Sequence, residues 1–240
     1  MARKSAAAKT LDPVEQEVLP EGAVVLTLPK APHRIVTVVI AGDEHGLLQN
    51  NMKLAEKMKI ANKGRKDLDP ENNEETDYSK KVEEWKQTAH TTADGKHGHP
   101  CESFLKAMGR VIDQVKLSNG EPMESMKALN CALSIIPDGV GTDGKSLVFF
   151  TSKEETPMTM EPACHWAVIQ GRTPVPVYRT HLKNWQMVVR VRYNPNVLRA
   201  KDVLALMSYA GEHIGIGAYR PENRGVFGRF TLVSGVDSGT

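Results

Sequence analysis

The chain is poor in cysteine, poor in aromatics and free of long apolar runs, and each shortage closes off a class of protein. Cys101, Cys131 and Cys164 are an odd set at wide spacing. They do not make a disulfide framework, and a reducing compartment is the simplest reading. Phe, Tyr and Trp together make up 5% of the residues, which argues against a large aromatic ligand pocket. No apolar run approaches the roughly 18 residues that a membrane span needs. The basic, small-residue start at 1–10 leads into no apolar stretch of the kind a secretory signal carries. The expectation is a soluble cytoplasmic chain with no membrane partner. No repeat of fixed period is visible, and no Walker or Rossmann pattern occurs.

What is present is a sizeable apolar share and an uneven charge. Hydrophobic residues make up 40% of 240, enough for one large domain or two small ones. The formal charge is only +2, yet residues 171–240 hold eight Arg and two Lys against four acids, for +6. Residues 64–86 hold eight acids against five bases, for −3. Arg dominates the basic third, and its planar fork suits phosphate better than Lys does. A basic segment within a near-neutral whole marks a local anion-binding face.

Along the chain, residues 1–20 read as a mobile arm. Residues 21–235 read as a single domain with a polar insertion at 61–100, and 236–240 as a tail. β-Branched runs at 24–28 and 34–41 predict strands, the second the stronger. Residues 46–60 are partly in helical spacing. Phe104, Leu105, Met108, Val111, Ile112 and Val115 recur at three- and four-residue steps, predicting a helix over 101–115. Residues 124–135 suggest another short helix, 147–151 and 164–169 short strands, and Pro174 with Pro176 an extended connector.

The last third is the clearest. Over 186–193, Met187, Val189, Val191 and Tyr193 alternate with Arg190 and Arg192, as a strand with one buried face does. Residues 200–214 carry Val203, Leu206, Met207, Ala210 and Ile214 in one helical stripe. A glycine-rich loop follows, and then a strand over 226–233 with Val226, Phe230 and Leu232 inward and Phe227, Arg229 and Thr231 outward. Strand, helix, loop and strand, added to the earlier strand and helix, predict an α+β chain. Its sheet would be ferredoxin-like, antiparallel, with helices on one face.

Candidate binding residues cluster in that third. Gly215, Gly217, Gly225 and Gly228 permit close approach of another backbone. Arg220, Arg224 and Arg229 sit among them, and Tyr219 and Phe227 offer rings. Backbone amides, guanidinium forks and a stacking surface are what phosphates and unstacked bases need. Arg190 and Arg192 would extend this as a positive sheet face. The alternative is that the glycines cap the helix and the arginines are solvated. The order helix, loop, strand reverses that of the known phosphate-loop motifs and argues against nucleotide hydrolysis.

Other sites are weaker. His90, His97, His99 and Cys101 match no common zinc spacing and read as loop residues, so no metal is assigned. Asp43, Glu44 and His45 follow the first strong strand and have acid–base character. Cys164 and His165 would point to opposite faces of a strand. No nucleophile with an activator and no paired-carboxylate signature occurs, so no catalytic residue or cofactor is assigned.

Three stretches carry a resemblance. Ile40-Ala41-Gly42 with Gly46-Leu47-Leu48-Gln49-Asn50-Asn51 resembles the opening of many phage-encoded hypothetical proteins. The run from Gly98-His99-Pro100-Cys101 through Glu102-Ser103-Phe104-Leu105-Lys106-Ala107-Met108 resembles their central helix. The third stretch is Ala210-Gly211 with Gly215-Ile216-Gly217-Ala218-Tyr219-Arg220-Pro221 and Gly225-Val226-Phe227-Gly228-Arg229-Phe230, which resembles their closing motif. These proteins in turn look like the RAMP superfamily, the ferredoxin-like backbone subunits of CRISPR effector complexes. The resemblance implies binding of single-stranded RNA or DNA, RNA favoured, by a homo-oligomer assembled along the strand, in a bacterial host cell if phage-encoded. Asp43-Glu44-His45 stands where that superfamily carries small or hydrophobic residues. A phage scaffold oligomer without nucleic acid, a metal-dependent nuclease and a mimic that docks on a CRISPR complex are the alternatives.

Overall fold

Strict alternation makes the two central strands. In β1, Arg34–Gly42, Val36, Val38 and Ile40 are fully buried while Ile35, Thr37 and Val39 are half-buried on the other face. A two-residue strand β2, Leu47–Leu48, follows at once. The computed structural model describes residues 32–49, 51, 84–152, 156–168 and 174–238, with the backbone alone described at 165–168 and 174–177. The expected strand at 24–28, the helical spacing after 51 and most of the polar insertion lie outside these residues.

In chain order there follow a 3₁₀ turn Glu84–Thr88, β3 His90–Thr91, β4 His97–Pro100 and helix α1 Cys101–Gly109. Next come α2 Met126–Ala132, β5 Leu133–Ile136, β6 Gly139–Val140, β7 Ser146–Ser152, β8 Thr159–Val168, β9 Pro174–Lys183 and β10 Trp185–Tyr193. The chain closes with α3 Ala200–His213, a 3₁₀ turn Pro221–Asn223 and β11 Phe230–Ser238. Pro32–Thr240 forms one compact unit. Among the described residues no helix is long and apolar enough to cross a membrane.

The main sheet runs β11-β1-β10-β7-β4-β3, with β5 also on β10 and β6 on β7, and the pairings are antiparallel. β5 pairs Arg190–Tyr193 and β7 pairs Trp185–Met187, so the two are successive halves of one strand beside β10, broken where 137–145 loops out. Taken as one strand, they complete the order 4-1-3-2 of a βαββαβ chain. The fold is therefore ferredoxin-like, mixed α+β, as the alternation and helix order predict. A second sheet, β2-β9-β8, joins the first through the loop after α3, where Leu48 bridges Ala218.

One face of the main sheet carries the helices. Trp185, Met187, Val189, Val191 and Tyr193 of β10 are buried with Phe104 and Met108 of α1 and with Val203, Leu206, Met207 and Ala210 of α3. A Cβ on Gly211 would lie 2.6 Å from the Phe230 ring, so α3 approaches β11 through a glycine. Asp202 fixes the start of α3, accepting from Arg199 N and Ser118 N, both at 2.8 Å. The other face shows Arg190, Arg192 and Val188 of β10 beside Ile35, Thr37 and Val39 of β1.

Several expected boundaries move. α1 stops at Gly109 rather than 115, because 111–115 breaks into turns while still burying Val111 and Val115. Helix gives way to strand within 124–135 at Leu133. Pro174 and Pro176 belong to β9 on its pairing with β8, not to a connector. The last strand begins at Phe230, not 226, since Gly228 has φ +78° and the preceding residues turn back on themselves. Residues 84–100, expected within a projecting insertion, pack into the body. Trp85, His90 and His99 are buried, and the 0%-exposed Gln49 donates to Gly98 O at 2.9 Å and accepts from His90 N at 2.6 Å.

Candidate functional site

The loop after α3 is knitted from its own backbone. Gly215, at φ +70°, ends the helix by donating to Ala210 O at 2.9 Å, a six-to-one closure that suits glycine. Ile216 N donates to Gly228 O at 2.9 Å, and Gly228 N to Gly46 O at 2.7 Å. A Cβ on Gly228 would collide with the Ile216 carbonyl. Ala218, Asn223, Arg224, Gly225 and Phe227 also donate to backbone carbonyls. These amides hold the loop's shape and are not offered to a ligand, which removes part of the amide cradle expected of the glycines.

Against this loop lies a cleft of about 590 Å³. The 215–217 turn and Arg220 form one wall, and α1 forms the other through Ser103 and Lys106, with Arg110 just past its end. His90 and His99 of the β3–β4 hairpin and Lys145 close it. Four cations (Lys106, Arg110, Lys145 and Arg220) face two carboxylates, Glu102 and Glu222, so the lining has a positive excess.

Each cation is also steadied. Lys106 pairs with Glu102 at 2.8 Å, and Arg110 Nε with Glu222 at 3.0 Å. Arg220 reaches Glu222 through Nε at 3.0 Å and donates to Gly217 O at 3.0 Å. Lys145 lies 3.6 Å from Asp143, whose other neighbour is His90 Nδ1 at 3.0 Å. Burial pushes the Asp143 carboxyl up, but the amide of Lys145, the His90 imidazole and the Lys145 charge together outweigh it and hold its pKa below the ordinary value.

Burial, with His90, Lys145 and Arg220 nearby, drives His99 well below the ordinary imidazole value. It is therefore neutral at pH 7, and neither of its ring nitrogens has a hydrogen-bond partner. Cys101, first residue of α1, is pushed up to about 11 by burial, so it stays a thiol despite its place at a helix N-terminus.

The residues singled out in the sequence divide among three places. Gly215, Gly217 and Arg220 line the cleft. Tyr219, 42% exposed, stands over the loop 6.3 Å from the ring of Phe227, which packs edge-on against His181 at 5.3 Å. Arg224 ends the 3₁₀ turn at φ +60° and is exposed, and Gly225 is folded against Tyr219. Arg190 and Arg192 sit on the open sheet face, Arg190 held by Asp138 at 2.7 Å. Arg229, whose carbonyl accepts from Asp43 N, stands six β1 residues from Thr37, the partner of Arg190. At strand rise that is about 20 Å. Of these arginines, Arg220 lines the cleft and Arg190, Arg192 and Arg229 do not.

Lys106, Arg110 and Lys145 are the cleft residues that sequence reasoning missed, with Asp143 behind them as the partner of Lys145 and His90. Asp143-Gly144 is a turn signal, but nothing local places Lys145 opposite α1. Of the four possible metal ligands, His90 and His99 line the cleft together, and His97 and Cys101 do not. Among the described residues no group of three His, Cys, Asp or Glu is placed to hold a metal ion. Asp43 Oδ1 accepts from His45 N at 3.1 Å, which makes 43–45 a capped turn.

Neither a protein-family profile nor a curated protein matches the chain. Among solved structures it is similar to a chain in the Type III-B Cmr-beta bound to cognate target RNA. There the identity is 12% and the TM-score 0.45, covering 85% of this chain and 60% of that one. It is also similar to Cmr6 from Pyrococcus furiosus, at 12% identity and a TM-score of 0.29, covering 84% of this chain and 99% of that one. The chain therefore spans about 60% of the length of the first.

Proposed function

We propose that the chain binds single-stranded nucleic acid across the mouth of the cleft between the 215–217 turn and α1. RNA is the favoured form, as the sequence resemblance implies. The observation that carries this reading is the convergence of Lys106, Arg110, Lys145 and Arg220 on one concavity, with the exposed Tyr219 next to Arg220 in the chain. Phosphates meet the cations, Tyr219 stacks on a base, and Arg224 meets the strand as it leaves the loop. A cationic groove with a ring at its rim is the arrangement that sequence-tolerant single-strand binders use.

Purified chain should carry nucleic acid, identified by nuclease digestion and sequencing of what co-purifies. Binding of a labelled strand should weaken steeply with salt, with a log–log slope of about −0.7 per phosphate met. A flat response between low and high salt removes the reading.

The same reading has copies assembling along the strand. A second reading, oligomers without nucleic acid, is favoured by Val233 and Val236 on edge strand β11, 59% and 66% exposed. Size exclusion with and without added strand separates the two. Strand-dependent growth supports the first, and growth with a clean protein absorbance ratio supports the second.

A further inference from the structure

His99 is 2% exposed, and neither ring nitrogen has a hydrogen-bond partner. A neutral imidazole has one donor and one acceptor to satisfy, and leaving a buried polar group bare costs about 1–3 kcal/mol. The ring is held edge-on to His90, Phe104 and Phe150 at centroid distances of 6.1, 6.0 and 6.5 Å. Packing thus fixes it where it lines the cleft.

Two residues later α1 begins, and its first turn opens on the same cleft through Glu102 and Ser103. Pro100 stands at the N-cap and supplies no side-chain cap. First-turn amides lack intrahelical acceptors, and the helix dipole makes that end positive. Lys145 and Arg220 complete the ring of donors. Donors of four kinds lining one cleft suit a tetrahedral oxyanion, whose oxygens fan out in three dimensions, better than a planar carboxylate. The volume of about 590 Å³ leaves room for the sugar behind it. Glu102 and Glu222 line the same cleft, but each is paired with a base, at 2.8 and 3.0 Å.

We propose that the floor of the cleft is a seat for one phosphate group, held by a ring nitrogen of His99, the first turn of α1 and Lys145, with Arg220 closing over it. This rests on the strand-binding reading and deepens it by naming what enters the cleft. Two sources share the chemistry: a phosphodiester within a strand and the phosphate at a strand's 5′ end.

The test uses the full chain with ¹⁵N-labelled histidine, titrated with inorganic phosphate, a 5′-phosphorylated oligonucleotide and the same oligonucleotide ending in a 5′-hydroxyl. Saturable shifts of the His99 ring nitrogens with inorganic phosphate support the seat. Equal response to both oligonucleotides assigns it to a backbone phosphate, and response to the 5′-phosphorylated one alone assigns it to the end. His99→Phe, which keeps a ring in the packing, and Lys145→Met should each weaken phosphate binding about tenfold or more. Lys145→Met serves if His99→Phe fails to fold. No His99 response to any ligand overturns the seat, as does parental affinity in a folded variant. If strands are retained in a gel shift while His99 stays silent, the strand reading survives without the seat. If inorganic phosphate shifts His99 while no strand is retained, the seat survives without the strand reading.

Discussion

The cleft beside the glycine loop and the open face of the sheet both carry arginines, but in different physical settings. In the cleft, Arg220 and Arg110 share Glu222, Lys145 leans on Asp143, and a helix end and a buried imidazole face the same space. Arg220 and Lys145, 29% and 26% exposed, are held in a concavity with low-dielectric walls, where field lines are focused, while Arg110 is 67% exposed. On the open face, Arg192 is exposed and Arg190 is 43% exposed on its pair with Asp138, among Val188, Thr37 and Val39. Water screens those charges, and a half-exposed pair of this kind is worth about 0–1 kcal/mol. Counting arginines along the chain treats the two regions alike, and their surroundings separate them.

The strongest way to break this contrast is to empty the cleft. Arg220→Ala with Lys145→Ala should weaken single-strand binding about a hundredfold, at roughly 1.5 kcal/mol or more for each charged hydrogen bond to phosphate. Anisotropy of a labelled strand measures it, and the salt slope should shrink by about 0.7 for each phosphate no longer met. Parental affinity would move the interface elsewhere. Next in size is the loop itself. Gly228→Ala puts a Cβ against the Ile216 carbonyl at a φ of +78°, so the loop must shift. A loss of about 2 kcal/mol in urea unfolding is expected, and an unchanged midpoint would show that the loop is not pinned there.

A third test uses pH. His99 has a folded pKa well below its ordinary value of 6.5, so below about pH 6.5 the unfolded chain takes up a proton that the folded chain refuses. Stability is therefore full above that pH and declines as pH falls toward the folded pKa, by at most about 1.4 kcal/mol per pH unit for one group. His97, lowered by burial, adds in the same direction. Glu102, Asp143 and Glu161 are lowered carboxylates, so their contributions are lost only below about pH 4.5 and leave this window alone. His99→Phe should flatten urea midpoints between pH 5 and 6.5, and an unaltered slope would assign the effect to another group.

The fold was legible where one element buries one face. β1, β10 and α3 show their periods because each meets the core along its whole length, as Val36, Val189 and Leu206 do. The end of the glycine loop was not legible. Val226, Phe227 and Phe230 mimic alternation, while backbone bonds to Gly46 and Tyr219 hold 226–229 as a turn. The split of one strand into β5 and β7 is set by pairing with β10, some fifty residues later in the chain, and no local pattern encodes it. Half of the cleft was legible for the same reason. Arg220 and the glycines sit in a conspicuous motif, whereas Lys145 and His90 reach the site through strand pairing with β4 and a buried Gln49.

The smallest expected effect sharpens the contrast most. Arg190→Ala removes one ion pair to Asp138 and a 3.3 Å hydrogen bond to Pro137 O, and Arg192→Ala removes an exposed charge. Neither residue lines the cleft, and Arg229 stands about 20 Å along the sheet from Arg190 at strand rise. If strands cross the cleft, the double variant should lose less than about threefold in affinity at physiological salt, because remote exposed charges act within a Debye length of about 8 Å. The loss should shrink further at higher salt, since only long-range attraction is involved. If the strand instead lies on the sheet, the double variant loses affinity at every salt concentration and the Arg220→Ala, Lys145→Ala pair does not. The two pairs of substitutions therefore form a crossed experiment in which each surface is the control for the other.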